Sequence, residues 1–240
     1  MSDGSSLMKL MSAVFARPER GAARAAEYFT PRLASADQQL QALAKRMGGA
    51  YQRGALDWAT FAADLASGTT PDERGAGVWG RGSLVRKALH GLHVEVTPIV
   101  QPLSTSERGQ AAWRWLVLAP RVTVTAGARA SRLRFERFQA SWFADDENAT
   151  GADRLRPLRS ATPSEAALEP MPPAVSSARD RLIEKVVQIG FGPEHAFAVG
   201  RPLPRAADDP REFGQASFEV PALLELIERA RAFAHALATG

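Results

Sequence analysis

The strongest constraint on the fold of this chain is a change of hydrophobic period along it. From Leu92 onward apolar and polar residues alternate, with Leu92, Val94 and Val96 set against His93, Glu95 and Thr97. The same rhythm returns as Val122 and Val124 against Arg121, Thr123 and Thr125. A period of two puts each set on its own face of an extended chain, so both runs predict half-buried β-strands. Trp113 to Ala119 is apolar on both faces except for Arg114, the pattern of a central strand. On either side of this middle the period becomes helical. Leu40, Leu43, Ala44 and Met47 form one stripe, and Val220, Leu223, Leu224, Ile227, Ala230, Ala234 and Leu237 form another. Helices at both ends with strands between define an α+β protein: an N-terminal helical region, a small, mostly antiparallel sheet over about 92 to 143, and C-terminal helices.

Turn and capping signals divide the chain into four regions. Residues 1–68 read as helical. Leu7, Leu10, Met11 and Val14 share a face of a short helix, Pro18 starts a second that runs to Phe29, and Thr30 and Pro31 break it. Ser35 and Gln38 form a capping box for a third helix, closed by Gly48 and Gly49. Asp57 caps a fourth, with Leu56 and Phe61 spaced as a hydrophobic staple. Residues 69–143 are the basic, aromatic, β-rich region. It opens with a Gly-rich loop, and Ser83 then caps a short helix through Leu84, Val85, Ala88 and Leu89 that Gly91 ends. Pro98 sets the Leu92 strand at an edge or ends it, and Pro120 marks a bulge. Residues 144–177 form a Pro-rich linker. Residues 178–240 are helical and pack back on the sheet, with Ser177 and Asp180 capping a helix that carries Leu182, Ile183, Val186, Val187 and Ile189. On the last helix, Glu225 and Arg229 form an i, i+4 pair.

Composition narrows the chemistry. The 240 residues include no Cys, which excludes disulfides, thiolate nucleophiles and Cys-ligated zinc. No run of about 18 apolar residues is present, and Leu7 to Ala16 reads as a mature helix, so a cytoplasmic, non-membrane protein is expected. The formal net charge is +4, yet Arg108 to Phe143 alone holds seven Arg against the single acid Glu136. Trp113, Trp115, Phe135, Phe138, Trp142 and Phe143 are interleaved with them. Only four of the 30 basic residues are Lys, so codon usage accounts for the preference for Arg; it does not account for the missing acids. Two readings of the block remain open. In one, the aromatics fill the interior and the arginines are solvated. In the other, Arg121, Arg132, Arg134 and Arg137 track phosphates or an acidic partner, and Trp142 provides a stacking platform.

Other motifs favour structural readings. Gly75, Gly77 and Gly80 match a dinucleotide-loop spacing without the strand that should feed it. His90 and His93 are closely spaced, and Glu95 shares a strand face with His93, but no further ligands are identified, so no metal is expected. Asp145, Asp146 and Glu147 read as a solvated turn, and His235 as an exposed residue beside Glu228 and Arg231. No catalytic triad or cofactor motif is present, and no cofactor is expected.

The segment Gly190-Phe-Gly-Pro-Glu-His195-Ala-Phe-Ala-Val-Gly200 resembles the glycine-rich loop of the CRISPR RNA-processing endoribonucleases. The resemblance covers eleven residues. It implies a ferredoxin-like neighbourhood, with Gly190, Gly192 and Gly200 allowing close approach of RNA and His195 as the catalytic candidate. Two functions are thus in play. The first is a non-catalytic binding or assembly subunit, part of a larger complex, whose basic surface holds an acidic protein or nucleic acid. The second is an RNA-binding or RNA-processing protein.

Overall fold

In the computed structural model, which describes residues 18–61, 82–102, 116–126, 140–144, 155–157, 172–191, 195–200 and 218–239, the alternating runs become neighbours in one sheet. Its strands are β1 (Ala50–Gln52), β2 (Leu84–Leu89), β3 (Leu92–Pro102), β4 (Leu116–Ala126), β5 (Ala140–Ala144), β6 (Leu155–Pro157), β7 (Val186–Phe191) and β8 (His195–Gly200). The spatial order is β1-β2-β3-β4-β8-β7-β5-β6, with every neighbouring pair antiparallel. Among the described residues, the long helices α1 (Pro18–Met47), α2 (Pro173–Ile183) and α3 (Val220–Thr239) accompany the sheet in an α+β fold. The sheet is larger than expected, because it recruits β1 and β2 on one side and β6, β7 and β8 on the other, β6 from within the expected linker.

The helices cover one face. Val94, Val96, Val122, Val124, Ile189, Ala196 and Ala198 meet Leu40 and Leu43 of α1, Val175 and Leu182 of α2, and Leu223, Ile227 and Phe233 of α3 in a single core. Burying an aliphatic or aromatic side chain of this size contributes about 1.5–3 kcal/mol, so this shared face dominates the stability. Phe191 meets Phe233 edge-to-face at 5.8 Å between centroids. On the outer side, Arg229 ties α3 to the end of α2 through Glu184 (2.9 Å) and the carbonyl of Arg181, and pairs within α3 with Glu225 (2.8 Å).

Several expectations are corrected. The helix does not break at Thr30 and Pro31: α1 runs through Pro31 for 30 residues. Proline removes one backbone donor and crowds the preceding turn. The carbonyl left without that donor is that of Glu27, four residues back. In the same turn Arg32 adds a side-chain bond, its guanidinium donating to the Tyr28 carbonyl (2.7 Å) while lying 3.7 Å from the Tyr28 ring. Leu84 to Leu89 is a strand rather than a helix. His90 and Gly91 both take positive φ (50° and 81°), which closes a two-residue hairpin onto β3 and fixes β2 as its partner. The helix expected through Ile189 ends at Ile183, and it starts at Pro173, ahead of Ser177. Val186 to Phe191 then extends as β7, where β-branched residues suit a strand covered by α2.

β3 is not an edge strand, nor does Pro120 mark a bulge. Pro98 and Pro120 face each other in an unbroken β3–β4 register, between Thr97↔Arg121 and Ile99↔Ala119. The neighbouring ladders stop just short of them, at Val85↔Val96 and Arg121↔Val199, so neither missing N–H is called on by an outer strand. The register shifts elsewhere, between Val186 and Gln188 on β7.

Candidate binding surface

Strand alternation fixes what lies on the face away from the helices. Successive cross-strand rows there read Ala88–His93–Thr125–His195, then Arg86–Glu95–Thr123–Phe197, then Thr97–Arg121–Val199, then Ile99–Ala119. Exposure falls steeply along these rows. His93, Arg86 and Ala88 are exposed and Thr125 and His195 half-buried, whereas Thr97, Ile99, Ala119 and Val199 are buried.

Arg121 is at the buried end. Expected on a wet, phosphate-tracking face, it is only 6% exposed. Its guanidinium stacks on the Phe197 ring at 4.0 Å, and Nε donates to Thr123 Oγ1 at 3.4 Å. An aromatic partner one strand away converts this arginine from a surface charge into a core cation. Arg132, Arg134, Arg137, Gly192 and the motifs at Gly75 to Gly80 and Asp145 to Glu147 lie outside the described residues. Trp142 is in β5, in register with Ile189 and Pro157. The Gly190–Gly200 segment contributes β7 and β8. Gly190 lies within β7, paired with Phe197, and His195 opens β8 opposite Thr125. Gly200 has a packing reason: a Cβ there would stand 2.8 Å from Pro120 Cγ and 3.1 Å from Leu226 Cδ2 of α3.

The exposed end continues around the β1–β2 margin, where cations converge. Lys45 and Arg46 occupy the last turn of α1, the favourable place for positive charge at the helix C-terminus. Gly48 then turns the chain with φ 62°, and Lys87 Nζ reaches back from β2 to donate to its carbonyl (2.8 Å). Arg86 sits opposite Ala50 and is 58% exposed, and Arg53 follows β1. The carboxylates nearby are already engaged. Glu95 accepts from Arg86 Nε at 2.9 Å. Asp57 caps its own helical turn through the amides of Ala59 and Thr60. Its predicted staple also forms, with Leu56 and Phe61 in one cluster.

Asp37 accepts hydrogen bonds from the Tyr51 hydroxyl (2.5 Å) and from Gln41 (3.2 Å). Partial burial pushes its carboxyl up, but bonds to Ser83, Tyr51 and Gln41 and the charge of Arg53 outweigh this and hold it below the ordinary value. Ser83 in turn accepts from the Gly54 amide (2.9 Å), so Asp37 pins α1 to both β1 and β2. Between Arg86, Ala88, His93, Glu95 and Thr125 the surface dips into an open concavity of about 380 Å³.

Sequence reasoning missed this margin because its cations are dispersed along the chain. Among the described residues no three His, Asp or Glu side chains stand at metal-ligating spacing, and no helix is long and apolar enough to cross a membrane. His235 is exposed on α3, as expected.

The fold therefore defines an α+β protein with a one-sided helical layer and a graded opposite sheet face. No protein family, curated protein or solved structure matches the chain.

Proposed function

We propose that this protein is a non-catalytic binding or assembly subunit that holds an acidic protein partner through the cationic margin of β1 and β2. The reading rests on one observation: Lys45 and Arg46 at the end of α1, Arg53 after β1 and Lys87 and Arg86 on the two faces of β2 all lie along the β1–β2 margin, Arg86 paired with Glu95, while Asp37 and Asp57 accept local hydrogen bonds. Clustered cations with internally occupied counter-charges attract anionic surfaces over a Debye length and steer their approach. That sign of charge calls for an anionic partner, and β1, the outermost strand on this side of the sheet, suits pairing with an extended acidic segment.

The test is a titration with poly-glutamate and, separately, with single-stranded RNA, each at low and moderate salt. Poly-glutamate binding that weakens with salt, and weakens about tenfold in Lys45→Glu/Arg46→Glu/Arg53→Glu, supports the proposal. Preferential binding of RNA through the same residues replaces the protein partner with nucleic acid. Binding of neither, or binding untouched by the triple substitution, overturns it.

A further inference from the structure

We propose that His93 and His195 form a surface site for a divalent transition cation, centred over Thr125. The register carries the inference. His93 on β3 pairs with Thr125 on β4, and Thr125 pairs with His195 on β8, so the two histidines straddle one hydroxyl in a single row. All three positions alternate with core residues of their own strands, which puts them together on the face away from α1, α2 and α3. Two strand spacings separate the histidine backbones, about 10 Å. That span is within the joint reach of two imidazoles and two metal–nitrogen bonds of about 2.0–2.1 Å.

An open concavity lined by Ala88, His93 and Thr125 gives a cation access to the His93 side of the row. Local charge does not oppose a dication, because in the next row Arg86 is matched by Glu95 at 2.9 Å. Two imidazoles select Zn²⁺, Ni²⁺ or Cu²⁺ over Mg²⁺ or Ca²⁺, and with only two protein nitrogens the remaining positions fall to solvent and the Thr125 hydroxyl. The site is independent of the acidic-partner reading, since it uses none of the cations on which that reading rests.

The probes are ZnCl₂ followed by calorimetry and CoCl₂ followed by imidazole NMR on the intact chain. One Zn²⁺ per chain is expected, with affinity reduced at least about tenfold in His93→Gln and in His195→Gln at unchanged circular dichroism, and unaltered in His90→Gln and His235→Gln. In the unsubstituted protein, Co²⁺ should broaden the His93 and His195 ring signals before those of His90 and His235, a readout that does not depend on any variant folding. Absence of saturable binding at about 1 mM Zn²⁺ overturns the proposal, since so weak an interaction is no specific site. So does Zn²⁺ affinity untouched by either His93→Gln or His195→Gln, or Co²⁺ broadening centred on His90.

Discussion

Arg86 and Arg121 lie on the same face of the same sheet, one row and two strands apart, yet one is 58% exposed and the other 6%. Arg86, itself exposed, lies over a half-buried Glu95, where an ion pair near the surface contributes little. Arg121 is enclosed and stacked on Phe197, where a desolvated cation–π contact is stronger. Charge read from a sequence is therefore not surface charge. The same guanidinium stays at the surface at one end of the face and packs into the interior at the other, and the difference lies in the cross-strand neighbour.

The contrast breaks or holds on unfolding measurements. Its largest expected effect is at Arg121→Ala, which removes the stack and leaves a cavity beside Phe197; a loss of about 2–4 kcal/mol in urea unfolding is expected. A loss no greater than that of Arg86→Ala would erase the distinction. Next is Gly200→Ala at the same buried end, where the new methyl must displace Pro120 or Leu226 for about 1–3 kcal/mol.

The exposed margin should respond to pH more than to packing. The folded state holds the Asp37 carboxyl below its ordinary value of 3.8, so the stabilisation is complete above that value and is lost as pH falls through the folded one. Asp37→Asn should flatten the acid limb of stability below about pH 4. An acid limb unchanged by the substitution would remove Asp37 from the account. The smallest effect is expected at Arg86→Ala, within about 1 kcal/mol, while its contribution to anion binding is retained as a salt-dependent loss of affinity.

How much of this was legible depends on whether one residue's pattern had a single solution. The alternation in β3 and β4 and the long stripe of α3 each admit one reading, and both stand in the fold. Leu84, Val85, Ala88 and Leu89 fit a helical stripe and a short strand alike; the His90–Gly91 turn decided between them, because two successive positive φ values close a hairpin. Val186 to Ile189 was ambiguous for the same reason, apolar on every side and too short to show a period. Pro31 reads as a break because its local cost is visible in sequence, whereas the burial of Phe29 on one side of it and Ala36, Leu40 and Leu43 on the other exists only in three dimensions. The cationic margin was illegible throughout. Lys87 reaches the Gly48 carbonyl, just past the end of α1, through the β1–β2 pairing, a contact that no local spacing encodes.

The facing prolines of β3 and β4 give the sheet a fixed reading frame. A two-residue slip of β8 along β4 would keep every apolar side chain on its proper face and so pass the test of hydrophobic pattern. It would also bring Pro120 into a ladder position with no hydrogen to give, and the same holds for β2 moving along β3 toward Pro98. Pro98 and Pro120 thus discriminate between alignments that hydrophobicity alone leaves equal. Their contribution is to the fidelity of assembly rather than to the depth of the final well.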